Sequence, residues 1–261
     1  MKVVILCGGY GIRLSGETEF RPKPLVEVGG RPILWHIMKL YAHYGFTEFI
    51  LCLGYRANMI KDYFLNYEAM NNDFTINLGE KSTIEYHGAH KEQNFTVTLV
   101  DTGLDSMTGS RVKQIERYID GDNFMLTYGD GLSDVDVRSL VKHHEGHRCV
   151  GTVTAVQPNT RYGILNLDNA GLVRNFSEKP KVNSWVNAGY FVFRREFFKY
   201  LDEDASCILE KEPLQNLSQD GQLNAYYHTN GFFFGMDTQR EYNLLNKMYK
   251  EKDTPWMVWK N

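Results

Sequence analysis

The stretch Leu6-Cys7-Gly8-Gly9-Tyr10-Gly11-Ile12-Arg13, followed shortly by Arg21-Pro22-Lys23-Pro24, constrains this chain more than any other. Before it runs Met1-Lys2-Val3-Val4-Ile5-Leu6, an apolar run too short for a typical helix. Such a run suits a strand buried on both faces of a parallel sheet. The three glycines then remove the side chains that would hold a ligand off the backbone. N–H groups exposed in such a loop can cradle phosphate oxygens. Arg13 adds a fork suited to bidentate phosphate contact, and Lys23 a mobile point charge. A dinucleotide fingerprint fits poorly. Gly9-Tyr10-Gly11 starts that pattern, but Leu14 stands where its third glycine belongs. The second strand ends in Gly54-Tyr55-Arg56 instead of the acidic residue that binds a ribose. These basic residues suit a triphosphate and its displacement.

The chain has 261 residues, enough for one large α/β domain or a domain with an appendage. Its formal net charge of −3 implies no polybasic surface for nucleic acid or membrane. The longest apolar stretches fall short of a membrane span, and glycines interrupt the start before a signal-peptide pattern can form. None of Cys7, Cys52, Cys149 and Cys207 makes a C-x-x-C pair, and the first three sit in apolar strand-like runs. They read as small buried hydrophobes in a reducing cytoplasm.

After the loop, Leu25–Val28 reads as extended, and Pro32 suits the first turn of a helix whose apolar positions run to Tyr41 and which Gly45 stops. Glu48–Leu53 reads as a second buried strand, and Ile60, Tyr63, Phe64 and Tyr67 as a helix face. Alternation of this kind predicts a parallel sheet with right-handed crossovers. Phe74–Leu78, Thr83–His87 and Phe95–Val100 read as strands, Ser106–Arg111 as a polar turn, and Val112 to Ile119 as a helix. Phe124–Thr127 is the next buried strand, Asp134 is placed as the cap of a helix through His144, and Cys149–Val156 is another strand. From residue 157 the strands shorten: 163–167, 173–177, 185–193, 223–228 and 232–236, with helices over 195–201, from Pro213, and around Tyr242–Tyr249. The expected organisation is a single domain, 1–261, whose second half (157–261) folds over the carboxyl edge of a 1–156 core. Ligands bind at that edge in open α/β sheets.

Asp130 follows an apolar strand between two glycines, and Asp237 follows Phe232-Phe233-Phe234-Gly235-Met236. Two carboxylates at strand ends, in a chain with a phosphate loop, favour a hard cation shared with phosphate oxygens. The plainer readings are a turn aspartate at 130 and a helix cap at 237. Glu178-Lys179-Pro180 could hold a second phosphate or be a solvated turn. Arg161-Tyr162-Gly163 and Asn187-Ala188-Gly189 offer groups for sugar hydroxyls. His143 and His147 have metal-ligand spacing, but Gly146 interrupts them and no zinc-site partners follow. Asp134-Val135-Asp136 matches the letters of a glycosyltransferase metal motif but follows polar turn residues.

With these residues in hand, the chain resembles the sugar-phosphate nucleotidylyltransferases over nearly its whole length. The motifs are Gly8-Gly9-x-Gly11-x-Arg13-Leu14, Pro22-Lys23-Pro24, Gly29-Gly30-x-Pro32, Asp101-Thr102-Gly103, Ser106-Met107-Thr108-Gly109, Thr127-Tyr128-Gly129-Asp130-Gly131, Glu178-Lys179-Pro180 and Met236-Asp237-Thr238. The resemblance implies a Rossmann-like α/β fold with a mixed, mostly parallel sheet flanked by helices, of the nucleotide-diphospho-sugar transferase type. It implies triphosphate binding by Leu6, Cys7, Gly8, Gly9, Tyr10, Gly11, Ile12, Arg13 and Lys23, and base or ribose contacts by Ser106, Arg111 and Gly129. Tyr128, Gly163, Glu178, Lys179 and Asn187 would serve the sugar phosphate, and Asp130 and Asp237 would hold Mg²⁺. Arg13, Lys23 and Asp130 would carry catalysis. The 101–111 stretch points to the cytidylyl branch, with CTP and a sugar 1-phosphate, foremost glucose 1-phosphate, as substrates. Uridylyl or thymidylyl transfer and a glycosyltransferase of similar fold are the alternatives. Members of the family assemble as homo-trimers or homo-hexamers. Ile12 stands where the family usually has Thr, Ser110 where Gly is common, and Ala188 where Gly is usual.

Overall fold

The computed structural model describes residues 1–260 except 80–82, 159, 161 and 182. In chain order the strands are β1 (Val3–Cys7), β2 (Glu27–Val28), β3 (Arg31–Pro32), β4 (Glu48–Leu53), β5 (Phe74–Asn77), β6 (Thr83–Tyr86), β7 (Thr96–Asp101) and β8 (Asn123–Tyr128). They continue as β9 (Gly131–Ser133), β10 (Gly151–Val156), β11 (Ile164–Leu167), β12 (Val173–Ser177), β13 (Val186–Arg194), β14 (Leu223–Tyr227) and β15 (Phe233–Gly235). The α-helices are α1 (Ser15–Thr18), α2 (Ile33–His43), α3 (Ala57–Leu65), α4 (Tyr67–Asn71), α5 (Thr108–Gln114), α6 (Val137–Glu145), α7 (Glu212–Gln219) and α8 (Gln239–Lys250).

Seven strands form one sheet in the order β14-β10-β13-β8-β1-β4-β7. β1 pairs in parallel with β4 and β8, β4 with β7, and β10 with β14; only β13 runs against its neighbours β8 and β10. The α/β, mostly parallel sheet expected from the sequence is therefore present. β1 explains why its sequence is a continuous apolar run. Val3, Ile5 and Cys7 enter one core with the α2 face, while Val4 and Leu6 enter a second core on the other side of the sheet. Strands buried on both faces lose the polar alternation of a half-exposed sheet. The second core is aromatic: Phe124, Phe193, Phe197 and Phe198 stack in contact, with Phe193 and Phe197 ring centroids 3.9 Å apart.

Several elements differ from their sequence reading. The turn read over 106–111 is largely the first turns of α5, because residues 205–207 supply carbonyls that hold its N-terminal N–H groups. The segment 195–200 is a 3-10 helix, its aromatic residues facing the second core. Asp136, not Asp134, caps α6: its carboxylate accepts from Ser139 N at 2.9 Å and the Ser139 hydroxyl at 2.8 Å. Cys149 lies before β10 and is partly exposed, whereas Cys7 and Cys52 are buried as expected. No described helix is long and apolar enough to cross a membrane.

Candidate active site

The carboxyl ends of β1 and β8 open into a cleft of about 710 Å³. Leu6–Arg13, Lys23, Ser106, Arg111 and Gly129 all line it, so the structure brings the whole expected nucleotide set together. Tyr128 and Asp130 line it too, beside Leu104, Asp105, Met107 and Thr108.

Two local features shape the loop. Gly11 has φ +67°, in the left-handed region where a side chain is strained, and a Cβ there would stand 2.7 Å from Thr18. Thr18 is buried and donates its hydroxyl to Gly11 O at 3.0 Å and Leu14 O at 2.8 Å. Gly8 is required for a different reason. A Cβ there would stand 2.2 Å from the Arg111 guanidinium, so the close neighbour is the protein itself.

Arg111 is 4 % exposed and its guanidinium is spent on the scaffold. Nη1 donates to Leu53 O (2.9 Å), Thr102 Oγ1 (2.8 Å) and Gly103 O (2.7 Å). Nη2 donates to Gly8 O and Leu104 O, both at 3.1 Å. It thus clamps the phosphate loop, the end of β4 and the 102–104 turn into one unit. Burial lowers its pKa from the usual arginine range. The resemblance implied a base or ribose contact for Arg111; it lines the cleft, while these five bonds turn its terminal nitrogens to four backbone carbonyls and the Thr102 hydroxyl.

The base-side donors are also largely committed. Met107 N donates to Ala205 O (2.8 Å), and Gly109 N and Ser110 N donate to Cys207 O (2.9 and 3.1 Å). The Ser110 hydroxyl donates to Glu203 O at 3.2 Å and the Thr108 hydroxyl to Glu210 at 2.8 Å. The Ser106 hydroxyl oxygen accepts from Gln114 at 3.3 Å, which leaves its own proton available at the cleft wall.

Asp130 and Asp237, more than a hundred residues apart in sequence, meet at one ammonium. Lys23 Nζ donates to Asp130 Oδ2 at 2.5 Å and Asp237 Oδ1 at 2.8 Å, and Arg13 Nη2 lies 2.9 Å from the same Asp237 oxygen. The Lys23 side chain is 11 % exposed and each carboxylate about a third. Asp237 is not a helix cap: Thr238 is the N-cap of α8, with Glu241 accepting from Asp237 N (2.8 Å) and Thr238 N (2.9 Å). The two carboxylates already converge on one cation position with an all-oxygen donor set. That fits Mg²⁺, which takes about one or two carboxylates and completes its shell with water and phosphate oxygens. No group of three or more His, Cys, Asp or Glu residues is placed to bind a metal among the described residues. His143 bonds Asn224 at 2.9 Å, and His147 bonds Thr152 at 2.8 Å.

The sugar-side residues are more dispersed. Tyr128 is at the cleft, and its hydroxyl donates to Glu210 at 2.5 Å. Asn187 accepts from Gly189 N at 2.7 Å. Gly163 lies against Phe176 and Glu178, and Lys179, at φ 45°, pairs with Glu178 at 3.1 Å on an exposed surface. Gly163, Glu178, Lys179 and Asn187 do not line the cleft. Arg161 lies outside the described residues. Asp134 accepts from His228 (2.8 Å) and Phe232 N (2.7 Å), and Asp136 caps α6, so both carboxylates of the Asp-x-Asp letters are used within the fold. Sequence reasoning missed Glu210, which belongs to no motif, and the clamp role of Arg111, four of whose five acceptors are backbone carbonyls that no residue pattern displays.

A glycine loop at a strand end, cationic side chains and two carboxylates beside it are the groups that nucleotidyl transfer from a triphosphate requires. The chain belongs to the nucleotidyl transferase family, whose model matches residues 2–259. It is 44 % identical to a glucose-1-phosphate cytidylyltransferase of Salmonella typhimurium, over 99 % of this chain and 100 % of that protein. It is 41 % identical, with the same coverage, to a Bacillus subtilis protein named "Probable glucose-1-phosphate cytidylyltransferase". The crystal structure of HddC from Yersinia pseudotuberculosis shares the fold with a TM-score of 0.69 at 22 % identity, covering 95 % of this chain and 99 % of that one.

Proposed function

We propose that this protein transfers the cytidylyl group of CTP to glucose 1-phosphate, giving CDP-glucose and pyrophosphate. The observation that carries the reading is the 44 % identity, end to end, with an enzyme of that name. The cleft supports it. The glycine loop offers backbone N–H groups to the triphosphate, with Arg13 and Lys23 beside them to offset charge that builds on the departing pyrophosphate. The acceptor phosphate is already an anion, so no general base is needed and the chain's task is positioning and charge neutralisation. Among the described residues of the base side, the Ser106 hydroxyl accepts from Gln114 and would offer its own proton to the base. Tyr128, at the cleft, would serve the sugar side, and Lys179, outside the cleft and paired with Glu178, would have to leave that partner and swing in to meet the acceptor phosphate.

Asp130 and Asp237 would hold Mg²⁺. When bound, it supplies Lewis-acid polarisation of phosphate oxygens. Lys23 would then turn from the carboxylates toward the triphosphate.

A homo-oligomer, trimer or hexamer, completes the proposal. The β5–β6 hairpin pairs Phe74 with Tyr86 and Ile76 with Ile84, all exposed, and a lone two-stranded hairpin is marginal in water without a partner. Light scattering on the purified protein reads the state directly.

The test is pyrophosphate release with CTP, Mg²⁺ and a panel of sugar 1-phosphates. Glucose 1-phosphate should give the highest kcat/KM. Release with another sugar phosphate but not with this one would refute the assignment of the acceptor.

A further inference from the structure

We propose that Glu210 is a positioning residue that couples the base side of the cleft to its sugar side; the proposal rests on the functional reading above. Its two carboxylate oxygens hold different walls. Oε1 accepts the Tyr128 hydroxyl at 2.5 Å, and Oε2 accepts the Thr108 hydroxyl at 2.8 Å. Thr108 and Tyr128 both line the cleft, whereas Glu210 does not. Glu210 therefore acts through them.

Each of the two hydroxyls is fixed from a second direction. The Thr108 oxygen accepts Leu209 N–H at 2.9 Å, which leaves its proton to point at Glu210. The Tyr128 ring lies on the bare backbone of Gly189, where φ is +77° and a Cβ would stand 2.3 Å from the ring. Burial raises the Tyr128 pKa far above the ordinary tyrosine value, so at neutral pH its hydroxyl carries the proton it donates. Hydrogen bonds to an ionised carboxylate are among the stronger ones.

The two walls serve different substrates. Thr108 opens α5, the helix at the base side, while Tyr128 ends β8 two residues before Asp130. A ligand that orders one wall orders the other through a single side chain. The consequence is positive coupling: each substrate binds better when the other is present. Coupling free energy is reciprocal, so it can be read from either side.

The experiment measures the Kd of a CTP analogue with a methylene in place of the α,β-bridging oxygen, with Mg²⁺, with and without saturating glucose 1-phosphate. The wild-type Kd should tighten at least fivefold with the sugar phosphate. In Glu210→Ala the ratio should fall below twofold. Glu210→Gln keeps one acceptor oxygen and should lie between, while Glu210→Asp, too short to span both hydroxyls, should resemble Glu210→Ala. A purely structural role would weaken both Kd values together and leave their ratio unchanged. An unchanged ratio in Glu210→Ala, or a wild-type ratio of one, overturns the coupling. CDP-glucose synthesis by the wild type is assayed alongside: its absence overturns the functional reading, and its presence with an unchanged ratio overturns the coupling alone.

Discussion

Replacing Arg111 by Met separates a scaffold clamp from a ligand contact. The side chain is buried and makes five hydrogen bonds to the protein. Not every acceptor is orphaned by its removal. Leu53 O keeps the Thr102 N–H at 3.0 Å and the Thr102 hydroxyl at 2.6 Å, and Gly8 O keeps Tyr55 N–H at 3.0 Å. Gly103 O and Leu104 O lose the donors shown for them. Both residues are exposed, so water can take over their carbonyls, and two lost hydrogen bonds at about 0.5–1.5 kcal/mol each give an expected loss of about 2 kcal/mol. That is a measurable part of the roughly 5–15 kcal/mol that holds a domain together. Arg111→Lys should recover less than half, since one ammonium cannot reach Gly8 O and the 103–104 carbonyls together. Urea unfolding with a shared m-value gives the stability, and titration with CTP gives the affinity. A second arm uses Gly8→Ala, whose Cβ collides with the guanidinium: it should cost less in the Arg111→Met background than in the wild type. If Arg111→Met unfolds within about 1 kcal/mol of the wild type but no longer binds CTP, the clamp account is wrong.

Asn at Asp130 or Asp237 should each cut turnover steeply while leaving the urea midpoint nearly unchanged, because both carboxylates are partly exposed. The double variant should be little worse than the poorer single one, since the two act as a unit; near-additive losses in kcat would contradict a shared cation. His144 gives a pH prediction. Burial lowers its pKa from 6.5 to about 4. The unfolded chain takes up the proton first as pH falls, so stability is present above about 6.5 and is lost progressively toward 4. At about 1.4 kcal/mol per pH unit the loss reaches roughly 3 kcal/mol. His144→Asn should flatten the dependence of Tm on pH between 7 and 5, and an unchanged slope would contradict the assignment.

The sheet was legible because β1, β4 and β8 are buried on both faces and so carry continuous apolar runs. The phosphate loop was legible because its glycines cluster at the end of the first of them. Asp130 and Asp237 could be named from their places at strand ends. Their meeting at Lys23 could not, since it depends on the β9–β15 ribbon, in which Gly131 pairs with Gly235 and sets the two carboxylates side by side. The clamp role of Arg111 was hidden for a related reason: a cation near a phosphate loop has the same sequence pattern whether it faces ligand or backbone. The cap of α6 moved from Asp134 to Asp136 because His228 and Phe232, distant in sequence, claim the first carboxylate. Contacts of this kind are set by tertiary packing and leave no periodic trace.

A competition reaction tests the central claim most directly. The protein is given equimolar CTP, UTP, GTP, ATP and dTTP with Mg²⁺ and glucose 1-phosphate, and the sugar nucleotides formed early are identified by mass spectrometry. CDP-glucose should dominate, because a base that cannot accept from a base-side donor such as the Ser106 hydroxyl leaves that group unpaired. Equal or greater formation of UDP-glucose or dTDP-glucose would contradict the account.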